Sequence, residues 1–363
     1  MMITTAIRLT APLAFFGYAA FANLSLLQGD VEGPDAGGFL KGEFSQELDT
    51  LYRTNLPHRE VAVGWVGMAR YALLNEGRDG VVPGSDDWLF SSEEFRSHDP
   101  DTIKLNDTLD YMSQVHMALQ AMGSELVIVP LPAKIDVARS YAPSADQINV
   151  MSAAYDQFLT DLDTRGIKAV DTRPALVAAD QPFFQTDTHW TDSGALAVAG
   201  AVAASGLIAT GNTEFTRTDQ APVSFAGDLV AFVTSETLGP IVGLHSETIT
   251  PYVAESATGD TGGGGIDLFG NSGPKPVDLV GTSYSANTNW SFAEALKLSL
   301  AQDVLNHAEE GQGPVAPMHA YLENLDPADA PPAVIWEFPV RYLSDPKLMD
   351  ALTDEEEASD ENA

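Results

Sequence analysis

A histidine with an aspartate close by is the first group in the sequence that could carry out acid–base chemistry. Asp187 precedes His189 by two residues in the stretch TDTHWTDSG, residues 186–194. From that position a carboxylate can accept the hydrogen bond of the imidazole Nδ1–H, which leaves Nε2 free to act as a base. The alternative interpretation is a histidine on a loop that is simply solvated.

A serine further along the chain could serve as the nucleophile. Ser283 lies in VGTSYS, residues 280–285, directly after an apolar run at 277–280. Gly281 allows a sharp turn where a strand would end, and sites in open α/β sheets lie at the carboxyl ends of strands. Amide groups in this turn, including that of Ser283, could donate hydrogen bonds to an oxyanion. The alternative is that Ser283 only caps the following helix.

The elements that would hold these residues alternate between helix and strand. Helical spacing of apolar residues predicts helices at 43–75, with an interruption at Pro57, and at 109–122, 148–162 and 192–206. Short apolar runs predict strands at 126–129, 167–170, 277–280 and 333–336. Residues 77–90 are rich in turn residues, whereas 208–275 show weak periodicity and include a glycine-rich loop at 262–265. This alternation indicates an α/β fold, a sandwich around a mostly parallel sheet.

Composition excludes several classes of function. The chain of 363 residues carries 52 acidic and 18 basic residues, a formal net charge of −34, which disfavours nucleic acid as a partner. It has no cysteine, so disulfides, thiolate zinc sites and cysteine nucleophiles are excluded. The histidines show neither HxxxH nor HExxH spacing, and we expect no metal and no cofactor.

The ends of the chain suggest export. Arg8 precedes an apolar run at 9–22 that ends in a small-x-small pattern, so residues 1–28 are interpreted as a signal peptide or a single membrane anchor. A buried N-terminal helix is the alternative. We expect a linker at 29–42, one domain at 43–350, and a disordered acidic tail at 351–363. The protein would then be periplasmic, with a possible attachment to the inner membrane.

The two motifs together resemble a known family. The stretches DTHWTDSG and VGTSYSAN, in this order, are similar to those of the alginate O-acetyltransferase family (AlgX/AlgJ type) of SGNH-hydrolase-like proteins. Further similar stretches are GVVPGSDDWLF at 80–90, VIVPLPAKIDVARSYAP at 127–143, GDL at 227–229 and VIWEFPVRYL at 334–343. The chain departs from the pattern at Asp87, where glycine is expected before Trp88. We expect no carbohydrate-binding domain after the strand at 333–338, which favours the AlgJ-like branch.

The resemblance implies a fold, an order of motifs and a reaction. The fold would be an SGNH-hydrolase-like α/β/α sandwich with permuted motif order, because the Asp-His segment precedes the serine. Ser283 would be the nucleophile, His189 the general base and Asp187 the carboxylate that orients it. The acetyl group would pass through an acetyl-serine ester to hydroxyls of an exopolysaccharide. The family also implies a membrane-bound acyltransferase partner that relays the acetyl donor.

The acceptor groove and the polymer are predicted less specifically. Residues beside the family-like motifs are the candidates for binding substrate: Tyr284, Trp190, Lys134 and Arg341. For each the alternative is an ordinary structural role, in the core or in a surface ion pair. A chain at −34 would repel a polyuronate, so the acceptor is either alginate-like, held by a local basic patch, or a neutral glucan.

Three other functions remain compatible with the residues. An acetylesterase with the same triad would release acetate to water. A polysaccharide-binding scaffold would bind without catalysis, although intact Asp187, His189 and Ser283 argue against it. A metal-dependent deacetylase would need more ligands than the histidine spacing offers.

Overall fold

The computed structural model describes residues 15–25, 43–56, 58–96, 105–256, 275–350 and 352. The strands are β1 (Val81–Pro83), β2 (Leu89–Ser91), β3 (Glu125–Leu131), β4 (Lys168–Ala169), β5 (Phe215–Asp219), β6 (Val223–Phe225), β7 (Glu247–Ile249), β8 (Tyr252–Ser256), β9 (Val277–Val280), β10 (Val304–Asn306) and β11 (Ala333–Pro339).

A helical segment at residues 15–25 precedes the helices that surround the sheet. These are α1 (Glu43–Asn55), α2 (Arg59–Leu74), α3 (Leu105–Ala121), α4 (Lys134–Val137), α5 (Ala145–Thr164), α6 (Arg173–Ala178), α7 (Asp192–Ser205), α8 (Ser283–Ala286), α9 (Phe292–Leu300) and α10 (Val315–Asn324). Short 3₁₀ turns lie at Ser92–Phe95, Asp228–Phe232, Gly239–Val242, Thr288–Trp290 and Val340–Ser344.

A parallel sheet forms the centre of the described structure. Five strands follow the order β10-β9-β11-β3-β4, and every neighbouring pair is parallel. The predicted strands at 126–129, 277–280 and 333–336 are confirmed as the three central ones. The predicted strand at 167–170 is reduced to two residues at the sheet edge. Strand β10, at the other edge, was not predicted, because only its first residue is buried.

Helices cover both faces of this sheet. Along β11, Val334 and Trp336 pack into one hydrophobic layer and Ala333 and Ile335 into the other, as expected when successive side chains point to opposite faces. Helices α3, α5 and α10 supply the first layer, and α7 and α9 supply the second. Each fully buried leucine or phenylalanine in these layers contributes about 1.5–3 kcal/mol. The predicted α/β/α sandwich is confirmed.

The apolar pattern explains how the helices form. On α3, Leu109, Met112, Val115 and Leu119 recur at helical spacing and are all buried. Helix α7 begins at Asp192, and the preceding Thr191 caps it with a side-chain oxygen that accepts the amide of Gly194 at 3.3 Å. The helices predicted at 109–122, 148–162 and 192–206 are therefore confirmed, with small differences at their ends.

Short antiparallel pairs occupy the weakly patterned regions. The turn-rich stretch 77–90 contributes most of the hairpin β1–β2, and 208–275 contains the pairs β5–β8 and β6–β7. Asp87, in the β1–β2 turn, has a φ of 61°, the left-handed conformation that favours glycine. Its carboxylate accepts a hydrogen bond from the hydroxyl of Tyr71 at 3.0 Å, which links this turn to helix α2.

Several predictions fall outside the described residues: the linker at 29–42, the glycine run at 262–265 and, apart from residue 352, the acidic tail at 351–363. The same applies to most of segment 1–28, apart from the helical residues 15–25. Within the described chain, no helix combines the length and apolar character needed to cross a bilayer.

Candidate active site

Ser283 begins helix α8, three residues after the last residue of strand β9. The N-cap of this helix is Thr282, whose side-chain oxygen accepts the amide of Tyr284 at 3.4 Å. The interpretation of Ser283 as a cap is therefore wrong. Its half-buried hydroxyl lies at the carboxyl end of a central parallel strand, where sites in such sheets are found.

The turn that carries Ser283 is held by a buried carboxylate from β11. Glu337 is fully buried and accepts hydrogen bonds from the amide of Thr282 at 2.8 Å and from the hydroxyl of Ser285 at 3.0 Å. Gly281 is required here, because a Cβ at this position would lie 2.5 Å from Glu337 Oε2. Burial raises the pKa of Glu337, although the hydrogen bonds from Thr282 and Ser285 oppose this effect.

The structure brings the two sequence motifs together. His189 Nε2 lies 2.8 Å from Ser283 Oγ, across 94 residues of sequence. His189 Nδ1 lies 2.7 Å from Asp187 Oδ1, which also accepts the His189 backbone amide at 2.8 Å. A hydroxyl, an imidazole and a carboxylate thus form one continuous chain of hydrogen bonds, in the order that nucleophilic acyl transfer requires.

The electrostatics of Asp187 favour its ionised form. Burial alone would raise its pKa, but the hydrogen bond and charge of the His189 ring and the amides of His189 and Asp228 together lower it. An ionised carboxylate accepts the Nδ1–H proton and fixes the tautomer with Nε2 available toward Ser283. The imidazole also stacks on Trp290, with ring centroids 5.2 Å apart, which restricts its rotation.

Asp228 holds the loop that carries the histidine. Its amide donates to Asp187 Oδ2 at 2.9 Å, and its carboxylate accepts both the amide and the hydroxyl of Thr188 at 2.7 Å. Gly227 allows this close approach, because a Cβ there would overlap the carbonyl of Thr186.

A half-buried carboxylate, Glu247, and a buried ammonium, Lys134, fix the same loop. The carboxylate of Glu247 accepts the amide of Thr186 at 2.6 Å and its hydroxyl at 2.7 Å. The ammonium of Lys134 donates to three carbonyls, those of Leu89 at 2.6 Å, Gln185 at 3.0 Å and Asp187 at 2.9 Å. The loop is therefore attached to the β1–β2 hairpin on one side and to β7 on the other.

A cavity of about 320 Å³ lies in front of Ser283 and His189. Its size falls at the lower end of the range for small-molecule sites, about 300–1,000 Å³. It is lined by Gly80, Ser91, Ser92, Glu93, Arg96, Thr188, His189, Asp228, Leu229, Phe232, Ser283, Arg341 and Tyr342. The reactive pair therefore faces a mixed polar and apolar space that includes two arginines.

Residues 81–340 match the family model described as SGNH hydrolase-like domain, acetyltransferase AlgX. This chain belongs to that family. The match covers the sheet, the Asp-His loop and Ser283, so the resemblance stated from the sequence motifs is confirmed.

Both AlgJ proteins and AlgX proteins are among the relatives that align with this AlgX-family chain. Probable alginate O-acetylase AlgJ of Pseudomonas syringae pv. tomato is 36% identical over 317 residues, which cover 84% of this chain and 79% of that protein. Alginate biosynthesis protein AlgX of Pseudomonas putida is 30% identical over 287 residues, 74% of this chain and 58% of that protein. The solved O-acetyltransferase domain of Pseudomonas putida AlgJ matches with a TM-score of 0.62 at 33% identity, covering 73% of this chain and 93% of that one. These comparisons favour the AlgJ-like branch.

Three of the four predicted groove residues, Trp190, Lys134 and Tyr284, are buried without bordering the reactive cavity in this member of the AlgX family. Trp190 is fully buried, with its ring 4.6 Å from that of Phe292, and it lines none of the described cavities that border the loop. Lys134 is also buried, and its ammonium is used by the three loop carbonyls. The prediction that the Trp190 and Lys134 side chains line the acceptor groove is corrected: both hold the loop from behind.

Tyr284 and Arg341 lie nearer to the reactive serine. Tyr284 is buried, and its hydroxyl donates to the carbonyl of Thr188 at 2.6 Å while it accepts from Arg341 at 2.9 Å. Tyr284 borders neither of the described cavities beside the loop, so its prediction as a groove residue is also corrected: it joins the serine turn to the histidine loop. Arg341 also donates to Glu93 at 2.9 Å, and of the four predicted groove residues it is the one that borders the cavity.

A metal could use some of the same atoms in principle. Asp187, His189 and Asp228 offer ligand atoms that lie within 4.8 Å of one another. In this arrangement, however, the two nitrogens of His189 are hydrogen-bonded to Asp187 and Ser283, and both oxygens of Asp228 bind Thr188. A metal ion would have to break these bonds, so the donor set fits proton transfer better than metal ligation.

Sequence reasoning did not identify the carboxylates that hold the site. Asp228, Glu247 and Glu337 act across 40, 61 and 55 residues of sequence, respectively. One signal was present for Glu337, because it is a single carboxylate inside the apolar run of β11. A charge in a fully buried strand needs a partner, and here the partner is the turn of the nucleophile.

Proposed function

We propose that this AlgX-family protein is an O-acetyltransferase that carries acetyl on Ser283 and delivers it to hydroxyls of an exopolysaccharide. The observation that carries the proposal is the 2.8 Å distance between His189 Nε2 and Ser283 Oγ, with Asp187 on the opposite ring nitrogen. The AlgJ relatives, whose name describes an alginate O-acetylase, support an acetyl acceptor of the polysaccharide class.

The first half-reaction forms the acetyl-serine ester. His189 Nε2 takes the proton of Ser283 Oγ as the oxygen attacks the acetyl carbonyl, and it then gives this proton to the leaving group. Asp187 remains ionised and stabilises the imidazolium that forms between the two transfers. The backbone N–H of Ser283, at the start of α8, is the nearest candidate donor to the oxyanion.

The second half-reaction transfers acetyl to the acceptor. A sugar hydroxyl loses its proton to His189 Nε2 and attacks the ester carbonyl, which regenerates Ser283 and releases the acetylated sugar. The cavity of about 320 Å³ leaves room for the reacting sugar beside Arg341. Arg341 is proposed as an acceptor contact, since it borders this space and is already oriented by Tyr284 and Glu93.

Export and partnership are part of the proposal. An acceptor outside the cytoplasm requires residues 1–28 to direct the chain to the periplasm, as a signal peptide or as an inner-membrane anchor. The acetyl donor would then arrive through a membrane-bound acyltransferase.

Mass spectrometry of the intact protein after brief exposure to p-nitrophenyl acetate tests the nucleophile. We expect a single acetyl adduct that maps to Ser283, is lost in Ser283→Ala and is retained in Ser205→Ala, a serine at the end of α7. An adduct elsewhere, or none, would contradict the assignment.

The reaction product distinguishes acetyl transfer to a sugar from hydrolysis of the acetyl ester. Incubation with the ester donor and oligosaccharides should yield acetylated sugar in proportion to the acceptor concentration. Release of free acetate at a rate that the acceptor does not change would assign the triad to an acetylesterase. Retention of activity in a strong chelator should accompany either result, because neither mechanism uses a metal.

A further inference from the structure

A second, larger cavity lies beside the histidine loop and takes no part in the proposed acetyl transfer. It has a volume of about 770 Å³, within the range of about 300–1,000 Å³ for small-molecule sites. The segment from Pro182 to Thr191 contributes to both cavities, although the two share no lining residue in the described chain.

Aromatic rings form one wall of this cavity. Trp88 and Tyr141 stack with centroids 4.5 Å apart and planes 10° apart, and Phe90 lies behind Trp88 at 6.3 Å. Trp88 and Tyr141 are half-buried, so part of each ring faces the cavity. A rigid aromatic wall of this kind offers an apolar surface for the C–H face of a pyranose ring without much loss of side-chain entropy.

Polar groups face the rings from the other elements. Gln181 and Gln185 each carry a side-chain amide with a donor and an acceptor, which is what the hydroxyls of a sugar require. Gln181 has a φ of 44°, a conformation that is uncommon for a residue other than glycine. Gln185 is itself fixed, because its side-chain amide donates to the carbonyl of Asp86.

The charge of the lining distinguishes between classes of sugar. Asp86, Asp180 and Glu247 line the cavity, and within the described chain no lysine, arginine or histidine does. Carboxylates accept hydrogen bonds from neutral hydroxyls but repel a uronate carboxylate. The lining therefore fits an uncharged sugar.

The cavity is also close to the reactive residues. Gln185 and His189 are four residues apart, so their Cα atoms cannot be separated by more than about 14 Å. The ammonium of Lys134 donates hydrogen bonds to the carbonyls of both Gln185 and Asp187, and the carboxylate of Glu247 accepts one from the amide of Thr186. A chain of a few sugar units can span this distance.

We propose that this cavity binds uncharged sugar units of the acceptor polysaccharide, next to the unit that reacts at Ser283. The identity of the ligand as an acceptor rests on the proposed function, whereas binding itself does not. The acceptor is accordingly a glycan with neutral residues, and the Trp88–Tyr141 wall contributes to its recognition.

Calorimetric titration of the full chain carrying Ser283→Ala tests this proposal without turnover. The probes are mannohexaose, cellohexaose and a mannuronate hexamer. We expect at least one neutral hexamer to bind, and Tyr141→Ala to raise its Kd by about tenfold or more, as truncation of a central aromatic anchor commonly does. The control Trp65→Ala removes a half-exposed aromatic from α2, outside the cavity, and should leave the Kd unchanged.

A second variant protects the test against misfolding. Gln181→Ala removes hydrogen bonds without disturbing the stacked rings and should also weaken binding, with an unchanged thermal unfolding temperature. Absence of binding by every neutral probe, an unchanged Kd in Tyr141→Ala and Gln181→Ala, or tighter Tyr141-dependent binding of the mannuronate hexamer would each overturn the proposal. Failure of Ser283 to become acetylated would refute the proposed function and leave this binding result intact.

Discussion

At the scale of single residues, Asp187 has the clearest expected effect on catalysis. Its carboxylate fixes the His189 tautomer through the 2.7 Å contact with Nδ1. In Asp187→Asn the amide can donate to Nδ1, which turns the imidazole into the tautomer with Nε2 protonated and unable to accept from Ser283. We expect kcat to fall by about 10⁴-fold, measured as the rate of Ser283 acetylation.

The matched control is Asp163→Asn, which neutralises an exposed carboxylate on α5. It changes the net charge by the same amount and should leave the acetylation rate unaffected. A loss of less than about tenfold in Asp187→Asn would mean that His189 keeps its tautomer by other contacts.

The lowered pKa of Asp187 also predicts how stability depends on pH. The unfolded carboxyl has a pKa of about 3.9, and that of the folded one is lower, so at a given acidic pH the folded state binds fewer protons at Asp187 than the unfolded state does. Ionised Asp187 therefore stabilises the fold above about pH 4, and this contribution is lost as the pH falls through the folded pKa.

Urea unfolding of the wild type and Asp187→Asn from about pH 6 to about pH 3 measures this contribution. The difference in unfolding free energy between the two should be constant at the upper end and should shrink toward the acidic end. A difference that stays constant throughout would show that Asp187 titrates alike in the folded and unfolded chains.

At the scale of elements, the turn after β9 depends on a glycine. In Gly281→Ala the new Cβ would lie 2.5 Å from Glu337 Oε2 and 2.9 Å from Glu337 Cβ, both too close for ordinary contact. Either Glu337 or the Ser283 turn must move. We expect a loss of about 1–3 kcal/mol in unfolding free energy, and a loss of about 100-fold in kcat because the hydroxyl leaves its place beside His189.

Gly200 offers the contrasting substitution. It lies within α7, and a Cβ there would have no atom within 4 Å apart from the neighbouring backbone of its own helix. Gly200→Ala should raise the unfolding free energy by about 1 kcal/mol, because alanine has the higher helix propensity, and should leave kcat unchanged. Equal effects of the two substitutions in thermal unfolding and kinetics would refute the role given to Gly281.

The elements also show what could be predicted from sequence. The central strands and helices α3, α5 and α7 were predicted because each buries a regular apolar pattern. Strand β10 was missed because its three residues expose two side chains, and β5 because all of its residues are partly or fully exposed. Pattern analysis detects burial, so it fails at sheet edges and in small surface hairpins.

Sequence analysis identified those site residues that lie close together in the chain or directly after a recognisable strand. Asp187 and His189 are two residues apart, and Ser283 follows a recognisable strand, so all three could be named. The supporting carboxylates Glu247 and Glu337 could not be named from the sequence. Their hydrogen-bond partners are distant in the chain and are brought close only by the fold. Trp190 was interpreted as a groove residue for the same reason: which way an aromatic ring faces depends on the packing of α9 against α7.

At the scale of the whole molecule, the net charge of −34 governs the approach of a charged acceptor. A polyuronate is repelled at long range, and the two arginines at the reactive cavity act only over a short distance. Neutral sugars do not experience this repulsion. The long-range field and the acidic lining of the second cavity therefore favour the same class of acceptor.

Ionic strength separates these contributions, because the screening length falls from about 30 Å at 0.01 M salt to about 8 Å at 0.15 M. Over this range we expect the KM for a mannuronate oligomer to fall severalfold, since screening weakens its repulsion by the acidic surface. The KM for a neutral oligomer should stay constant and serves as the control for effects of salt on the enzyme itself. If the KM for the uronate instead rises with salt, attraction at Arg96 and Arg341 outweighs the field of the molecule, and a polyanion is then the acceptor that the reactive cavity prefers.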